Sequence, residues 1–272
     1  MAAVLLRQHP PVSCICLTYA RPALLEEAIW SFLRQDYAGR KELIVLNDYD
    51  CQYLEFDHPE VRIVNVPKRL RTVGEKMNMA SALATHDLLF VWDDDDIYLS
   101  HRLSFSTERL AVDQGFFKPD KGWVLDGGTL CGPETNLFHA GSCWTRALFD
   151  AVGGYAAEGS GYDLDFEARL SRRFPGATAP FDVRPEDIYY VYRWAGTGSY
   201  HMSGFREYTP GHNVGHLEVE AYVHQRAAVG EIPHGRVALA PKWMHDYQRL
   251  VSDYLQALAR QPIRSPEEAP MA

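Results

Sequence analysis

In the segment Asp87-Leu88-Leu89-Phe90-Val91-Trp92-Asp93-Asp94-Asp95-Asp96, a short apolar run meets four consecutive carboxylates. An apolar run of this length bounded by polar residues reads as a buried strand. In an open α/β sheet, ligands bind outside the carboxyl ends of the strands, so the acidic cluster falls where a site is expected. Carboxylates this close repel one another unless a cation or solvent screens them. Hard divalent ions such as Mg²⁺ take oxygen ligands and bridge to substrate phosphates. Taken alone, the cluster reads equally as a solvated acidic turn. The surrounding sequence has to discriminate.

Strand-like and helix-like segments alternate from Pro11 to about Trp194, which predicts an α/β fold with a mixed, mainly parallel sheet flanked by helices. A first strand is predicted over 12–17. After Arg21-Pro22, with proline suited to a first helical turn, Leu25, Ala28, Ile29, Phe32 and Leu33 recur as one apolar stripe that belongs to the core. Further strands are expected over 43–46, ending in Asn47-Asp48, and over 61–66, with a helix over 74–84 feeding the strand before the aspartates. These are consecutive βα units of the Rossmann-like kind. They place Thr18, Asp48 and Asp93 at the carboxyl ends of separate strands.

Beyond the aspartates, Ser100 is placed to cap a helix running through Leu103 and Leu110. Loops around short strands near Trp123 are expected over 113–139, a helix over 163–173 and an aromatic-rich strand over 187–194. The glycines and histidines from Gly196 to about His234 show no clear period and predict irregular structure. Pro241 is then expected to open a helix over 241–260 that carries Trp243, Tyr247, Leu250, Val251, Tyr254 and Leu258 on one face. Such a face must dock on the body or on a partner chain, as a homo-oligomer contact. The expected division is a main domain over 1–204, with halves at about 11–100 and 101–204, an extension over 205–260 and a disordered tail over 261–272.

The 272 residues, 46% of them hydrophobic, suffice for one sizeable core and allow one or two domains. No apolar stretch reaches the ~18 residues of a membrane span. Met1-Ala2-Ala3-Val4-Leu5-Leu6-Arg7 is too short in its apolar part for a secretory signal, so the expected location is the cytoplasm. Five cysteines, with Cys14 and Cys16 on one face of a strand, read as small buried thiols and not as a disulfide framework. With 36 acidic against 27 basic residues and a net charge of −9, a nucleic-acid partner is disfavoured. A metal-bridged nucleotide is not.

Several separated stretches, in order, resemble the family 2 glycosyltransferases of the GT-A fold. Leu17-Thr18-Tyr19-Ala20-Arg21-Pro22, with Leu25, Ser31, Leu33 and Gln35-Asp36-Tyr37, is similar to the family's first strand and helix. Glu42-Leu43-Ile44-Val45-Leu46-Asn47-Asp48 resembles its second strand, and the resemblance gives nucleobase recognition to Asp48. Gly74-Glu75-Lys76-Met77-Asn78, followed by the strand and its aspartates, resembles the nucleotide-contacting helix and the Asp-x-Asp motif. The match implies donor contacts from Thr18, Tyr19, Arg21, Lys76, Asn78, Asp93 and Asp94 and a Mn²⁺ or Mg²⁺ ion on Asp95, while Asp96 reads simply as a cap for the following segment. The family often has arginine where Met77 stands, which leaves the basic contact to Lys76.

Ala140-Gly141-Ser142-Cys143-Trp144, Val152-Gly153-Gly154-Tyr155 and Gly161-Tyr162-Asp163-Leu164-Asp165 resemble the acceptor side. Tyr162 replaces the family's glutamate, and the catalytic base falls on Asp163 with Asp165 as the reserve. A carboxylate opening a helix is also favoured by capping and by the dipole. Tyr192-Arg193-Trp194-Ala195-Gly196-Thr197-Gly198-Ser199-Tyr200-His201 resembles the segment that closes over the donor, which brings Arg193 to the diphosphate and His201 to the metal. His212 and His216 have zinc-pair spacing, but no nearby acid or cysteine completes a site.

The resemblance implies a metal-dependent, inverting glycosyltransferase that moves a sugar from a nucleoside diphosphate donor, a UDP-sugar foremost, to an acceptor hydroxyl. Two rivals stand beside it. A degenerate member would bind nucleotide or glycan without turnover, as the Tyr162 substitution allows. A sugar-nucleotide nucleotidyltransferase would need a glycine-rich loop that Thr18-Tyr19-Ala20-Arg21-Pro22 does not supply.

Overall fold

A computed structural model describes residues 9–110, 115–135, 139–159, 161–194 and 214–260. β1 (Val12–Thr18) is buried almost throughout, as a central parallel strand must be. It leads into α1 (Pro22–Leu33), which starts on proline, where the missing N–H has no helical partner to lose. β2 (Lys41–Asn47), β3 (Gln52–Glu55) and β4 (Val61–Asn65) follow. Thr72 caps α2 (Val73–Leu83), its Oγ1 accepting from the Glu75 N–H at 3.1 Å. The apolar run forms β5 (Leu88–Val91), and the acidic turn leads to β6 (Ile97–Tyr98) and α3 (Arg102–Leu110). Next come β7 (Phe116–Phe117), β8 (Lys121–Asp126), β9 (Thr129–Thr135) and β10 (Cys143–Thr145). The rest comprises α4 (Arg146–Ala151), α5 (Tyr162–Arg173), β11 (Tyr190–Trp194), α6 (Val214–Ala228), β12 (Gly235–Ala238) and α7 (Tyr247–Ala259).

The main sheet has the order β4-β2-β1-β5-β10-β7. β1 pairs in parallel with both β2 and β5, with Ile15 opposite Ile44 and Val91, while β10 runs antiparallel to β5 and β7. The chain thus moves outward from β1 through β2 to β4, then returns to the far side of β1 as β5. The strand order reverses between β1 and β5, and a crevice opens at their carboxyl ends. Alternation along the strands sends Cys14, Cys16, Phe90 and Trp92 to one face, against α1 and α3. Ile15, Leu89 and Val91 face the other way, onto Met77 of α2, Phe149 of α4 and Phe166 of α5. A second sheet, β6-β11-β8-β9, stands beside this body. Among the described residues no helix is long and apolar enough to cross a membrane.

Two expectations for the C-terminal region are corrected. Within the stretch expected to be irregular lies α6, and β12 beyond it pairs in parallel with β3. The signal was faint because α6 buries only a narrow stripe: Val219 and Val223, one turn apart, pack with Tyr19 and Tyr49, and charged or polar residues surround them. The last helix begins at Tyr247 and not at Pro241, because Asp246 caps it by accepting from the Arg249 N–H at 3.0 Å. It docks on the chain's own body. Tyr247 and Val251 are buried in the main core and Tyr254 stacks edge-on against Trp123 at 5.4 Å, while Leu258 at the far end is 38% exposed. The expected tail over 261–272 lies outside the described residues.

Candidate active site

β1 ends at Thr18, and the turn that follows is unusual. Ala20 has a left-handed backbone, φ 59°, a conformation that costs a residue with a Cβ about 1–2 kcal/mol. The turn sends Arg21 across the crevice to the end of β5. Its Nε donates to Asp94 Oδ2 at 3.2 Å, its Nη1 to Asp95 Oδ2 at 2.5 Å and its Nη2 to Asp94 Oδ1. Asp96 turns away from this group: it accepts from the Tyr190 hydroxyl at 2.6 Å and the Arg193 N–H at 3.0 Å. It therefore anchors β11. Burial, then the charges of Asp96, Asp95 and Asp94, push the Asp93 carboxyl well above its ordinary range. Burial raises Asp94 as well, against the opposing pull of Arg21.

At the end of β2, Asp48 is buried. One of its oxygens takes the Lys76 ammonium and the other accepts from the Leu70 N–H at 3.0 Å. Lys76 also donates to the Thr18 carbonyl at 2.6 Å, so α2 ties the ends of β1 and β2 together. Beside them the Arg69 guanidinium lies over the Tyr19 ring at 4.1 Å and pairs with Glu220 of α6 at 2.9 Å. α6 covers this end of the crevice.

Asn78 reaches the other way along α2. Its Nδ2 donates to the Tyr155 carbonyl at 2.9 Å and its Oδ1 accepts from the Tyr155 N–H at 2.8 Å. That clamp holds the Gly153-Gly154 turn, where both glycines have positive φ, 79° and 71°. Gly74 makes the approach possible, because a Cβ there would meet the Ala156 carbonyl oxygen at 1.8 Å. The clamped turn leads into α5, which packs on α2. Burial, then the charges of Asp163, Asp93 and Asp95, push the Tyr162 phenol well up. Asp165 is committed to Arg169 at 2.7 Å. Asp163 forms no ion pair among the described residues.

Three polar groups had no signal in the residue pattern. Glu27 of α1 is 1% exposed. It accepts from the Met244 N–H at 2.7 Å and the Tyr247 hydroxyl at 2.9 Å, and it pairs with Arg193, whose Nε donates to the Asp95 carbonyl. Arg193 thus links the acidic turn to the C-terminal segment. Arg102 is fully buried, with Nη2 donating to the Ala140 carbonyl at 2.9 Å and to that of Val91, and with its guanidinium 3.9 Å over the Tyr98 ring. His139 bridges Glu167 and the Tyr155 hydroxyl, each at 2.7 Å. Only the buried Ser31, one turn beyond Glu27, hints that this part of α1 faces inward.

The carboxylates of Asp93, Asp94 and Asp95 are hard oxygen donors of the kind Mn²⁺ and Mg²⁺ prefer. Among the described residues no three acidic, histidine or cysteine side chains already converge as a cage, since Arg21 draws Asp94 and Asp95 to itself. Burial, and for Asp93 the neighbouring carboxylates, make these groups costly to charge, and a cation at their oxygens would offset that cost. The donor set fits a divalent ion. His201 and His212 lie outside the described residues, as does the side chain of His216.

Residues 13–110 match the family model described as Glycosyl transferase family 2. No curated protein sequence matches the chain. Among solved structures, the mannosyltransferase PcManGT from Pyrobaculum calidifontis, in complex with GDP-Man and Mn²⁺, aligns with a TM-score of 0.52 at 17% identity, over 93% of this chain and 76% of that one. S. aureus TarS 1-349 in complex with UDP-GlcNAc aligns with a TM-score of 0.51 at 15% identity, over 82% and 68%. The longer S. aureus TarS structure gives 0.50 at 15% identity over 68% of this chain, which spans only 37% of that protein. At such identities the likeness is one of fold. The sequence match runs from β1 to the end of α3, which is the stretch that builds the crevice, and the fold around it is GT-A: over residues 13–110 the chain is similar to glycosyl transferase family 2.

Proposed function

We propose that the protein is a metal-dependent, inverting glycosyltransferase that moves a sugar from a UDP-sugar to an acceptor hydroxyl in glycan synthesis. The observation that carries this reading is the meeting of Arg21 with Asp94 and Asp95 at the β1/β5 reversal, and the packing of α5, which carries Asp163, on α2 supports it. Nucleoside diphosphate sugars in the complexes of PcManGT and TarS agree with it. Tyr19 and Asp48, next to α6, are the groups we assign to the nucleobase end. Lys76 keeps Asp48 oriented, and Asn78 and Arg193 position the two sides of the crevice. The nucleotide-binding half at about 11–100, the acceptor half at about 101–204 and the extension over 205–260 form the functional division. Five free thiols support a cytoplasmic location.

In the transfer, the acceptor oxygen attacks the anomeric carbon from the face opposite the diphosphate. The carbon–oxygen bond to the diphosphate breaks and its electron pair leaves with the nucleotide. Asp163 takes the hydroxyl proton as the new bond forms, as a carboxylate general base does in the transition state. Asp95, with Asp93 beside it and His201 from the closing segment, would hold Mn²⁺ or Mg²⁺, whose charge offsets that developing on the diphosphate. Calorimetric titration of UDP in Mn²⁺ tests the reading: the native protein binds, and Asp95→Ala loses metal-dependent binding while melting normally. Unchanged UDP affinity in the variant would sink the metal assignment.

A further inference from the structure

The Arg21 guanidinium stands where a cation belongs. It engages both oxygens of Asp94 and one of Asp95, and Asp94 is 1% exposed. A planar fork can satisfy two adjacent carboxylates in a way that a lysine ammonium cannot. The backbone on either side fixes its direction: Ala20 holds a left-handed conformation immediately before Arg21, and Pro22 starts α1 immediately after. Strain of that kind persists where the surroundings over-determine it, often at functional sites. The other basic groups nearby are committed elsewhere, Lys76 to Asp48 and the Thr18 carbonyl, Arg193 to Glu27 and the Asp95 carbonyl.

We propose that Arg21 is an internal counter-cation, holding Asp94 and Asp95 in the nucleotide-free protein and transferring to the donor diphosphate when a divalent ion takes the carboxylates. The proposal rests on the donor reading above and deepens it. Nη1 of Arg21 already occupies Oδ2 of Asp95 at 2.5 Å, so an ion using that oxygen displaces it. An ion entering alone leaves a guanidinium beside a dication, two cations in one crevice. A diphosphate removes that repulsion, and the arginine fork suits its oxygens as well as it suits carboxylates. Metal and nucleotide therefore raise each other's affinity by the same factor. Arg21 adds to the coupling that the ion's own attraction for the diphosphate supplies.

Calorimetry with Mn²⁺ alone, with UDP or GDP alone, and with Mn²⁺ in saturating nucleotide, on the native protein, Arg21→Gln and Arg21→Lys, tests this. Arg21→Gln is expected to bind Mn²⁺ alone about 10-fold more tightly than the native protein. Nucleotide then raises its Mn²⁺ affinity by a factor about 10-fold smaller than in the native protein, within the usual span for linked sites. Arg21→Lys, which keeps the charge without the fork, falls between them and carries the test if thermal melting shows Arg21→Gln unfolded. Native-like Mn²⁺ affinity in the variants without nucleotide, or undiminished coupling, overturns the role of Arg21. Failure of the native protein to bind UDP or GDP under any condition overturns the donor reading instead, and the Mn²⁺-only titrations still decide whether Arg21 competes with a cation.

Discussion

Asp163 and Asp165 share the first turn of α5 yet meet different surroundings. Asp165 is held by Arg169 at 2.7 Å, whereas Asp163 forms no ion pair among the described residues and its charge, after burial, raises the neighbouring Tyr162 phenol. Neither is spent on capping, because Gly161 fills the N-cap position and makes no side-chain cap hydrogen bond. Asp163→Asn should therefore keep donor binding and lower turnover by roughly 10²-fold or more, the usual range for a lost general base. Steady-state assay of nucleotide release, with donor binding measured in parallel, checks it. Near-normal turnover would pass the role to Asp165 or another group. Residue type alone placed both aspartates at a helix start, but only the contact with Arg169 separates them.

The helix α7 shows how an element can be legible in its face and not in its bounds. Its apolar stripe is plain in the sequence, and Tyr247 and Val251 are buried as that stripe requires. Its start was misplaced because Pro241 suits a first turn, while the cap that operates is Asp246. Removing the chain after Ala240 would strip Glu27 of the Met244 and Tyr247 donors and leave a buried carboxylate with Arg193 alone. Each buried apolar side chain lost would cost about 1.5–3 kcal/mol, and an under-satisfied buried charge adds to that. The truncated protein is expected to melt at lower temperature and to aggregate, as seen by thermal melting and light scattering. A soluble fragment with unchanged melting point and mass distribution would show α7 to be dispensable.

Across the whole molecule, Lys118, His139, Tyr155 and Glu167 join four separate segments into one buried network. Burial pushes the Glu167 carboxyl up, but the hydrogen bond and charge of His139 and the charge of Lys118 outweigh it and leave the group below its ordinary value. A carboxyl depressed by folding contributes stability above its unfolded pKa, about 4.3, and that contribution is lost as pH falls through the folded value. The melting deficit of Glu167→Gln should be largest near neutral pH and shrink in acid. A deficit that stays constant with pH would assign the loss to packing instead. Asp93, raised in the fold, contributes in the opposite direction, its stability growing as pH falls below its raised value. The alternating βα pattern, the mainly parallel sheet and the acidic turn after β5 were readable without coordinates, because periodicity, proline placement and strand-end chemistry are local properties of a chain. The Arg21 pairing with Asp94 and Asp95, 73 and 74 residues away, was not, nor was Glu27 as a buried hub or α6 as the cover over Tyr19. Charged side chains default to solvent in any local reading, and only the crossing of strands at the β1/β5 reversal and the docking of the C-terminal segment supply the partners that make their burial favourable.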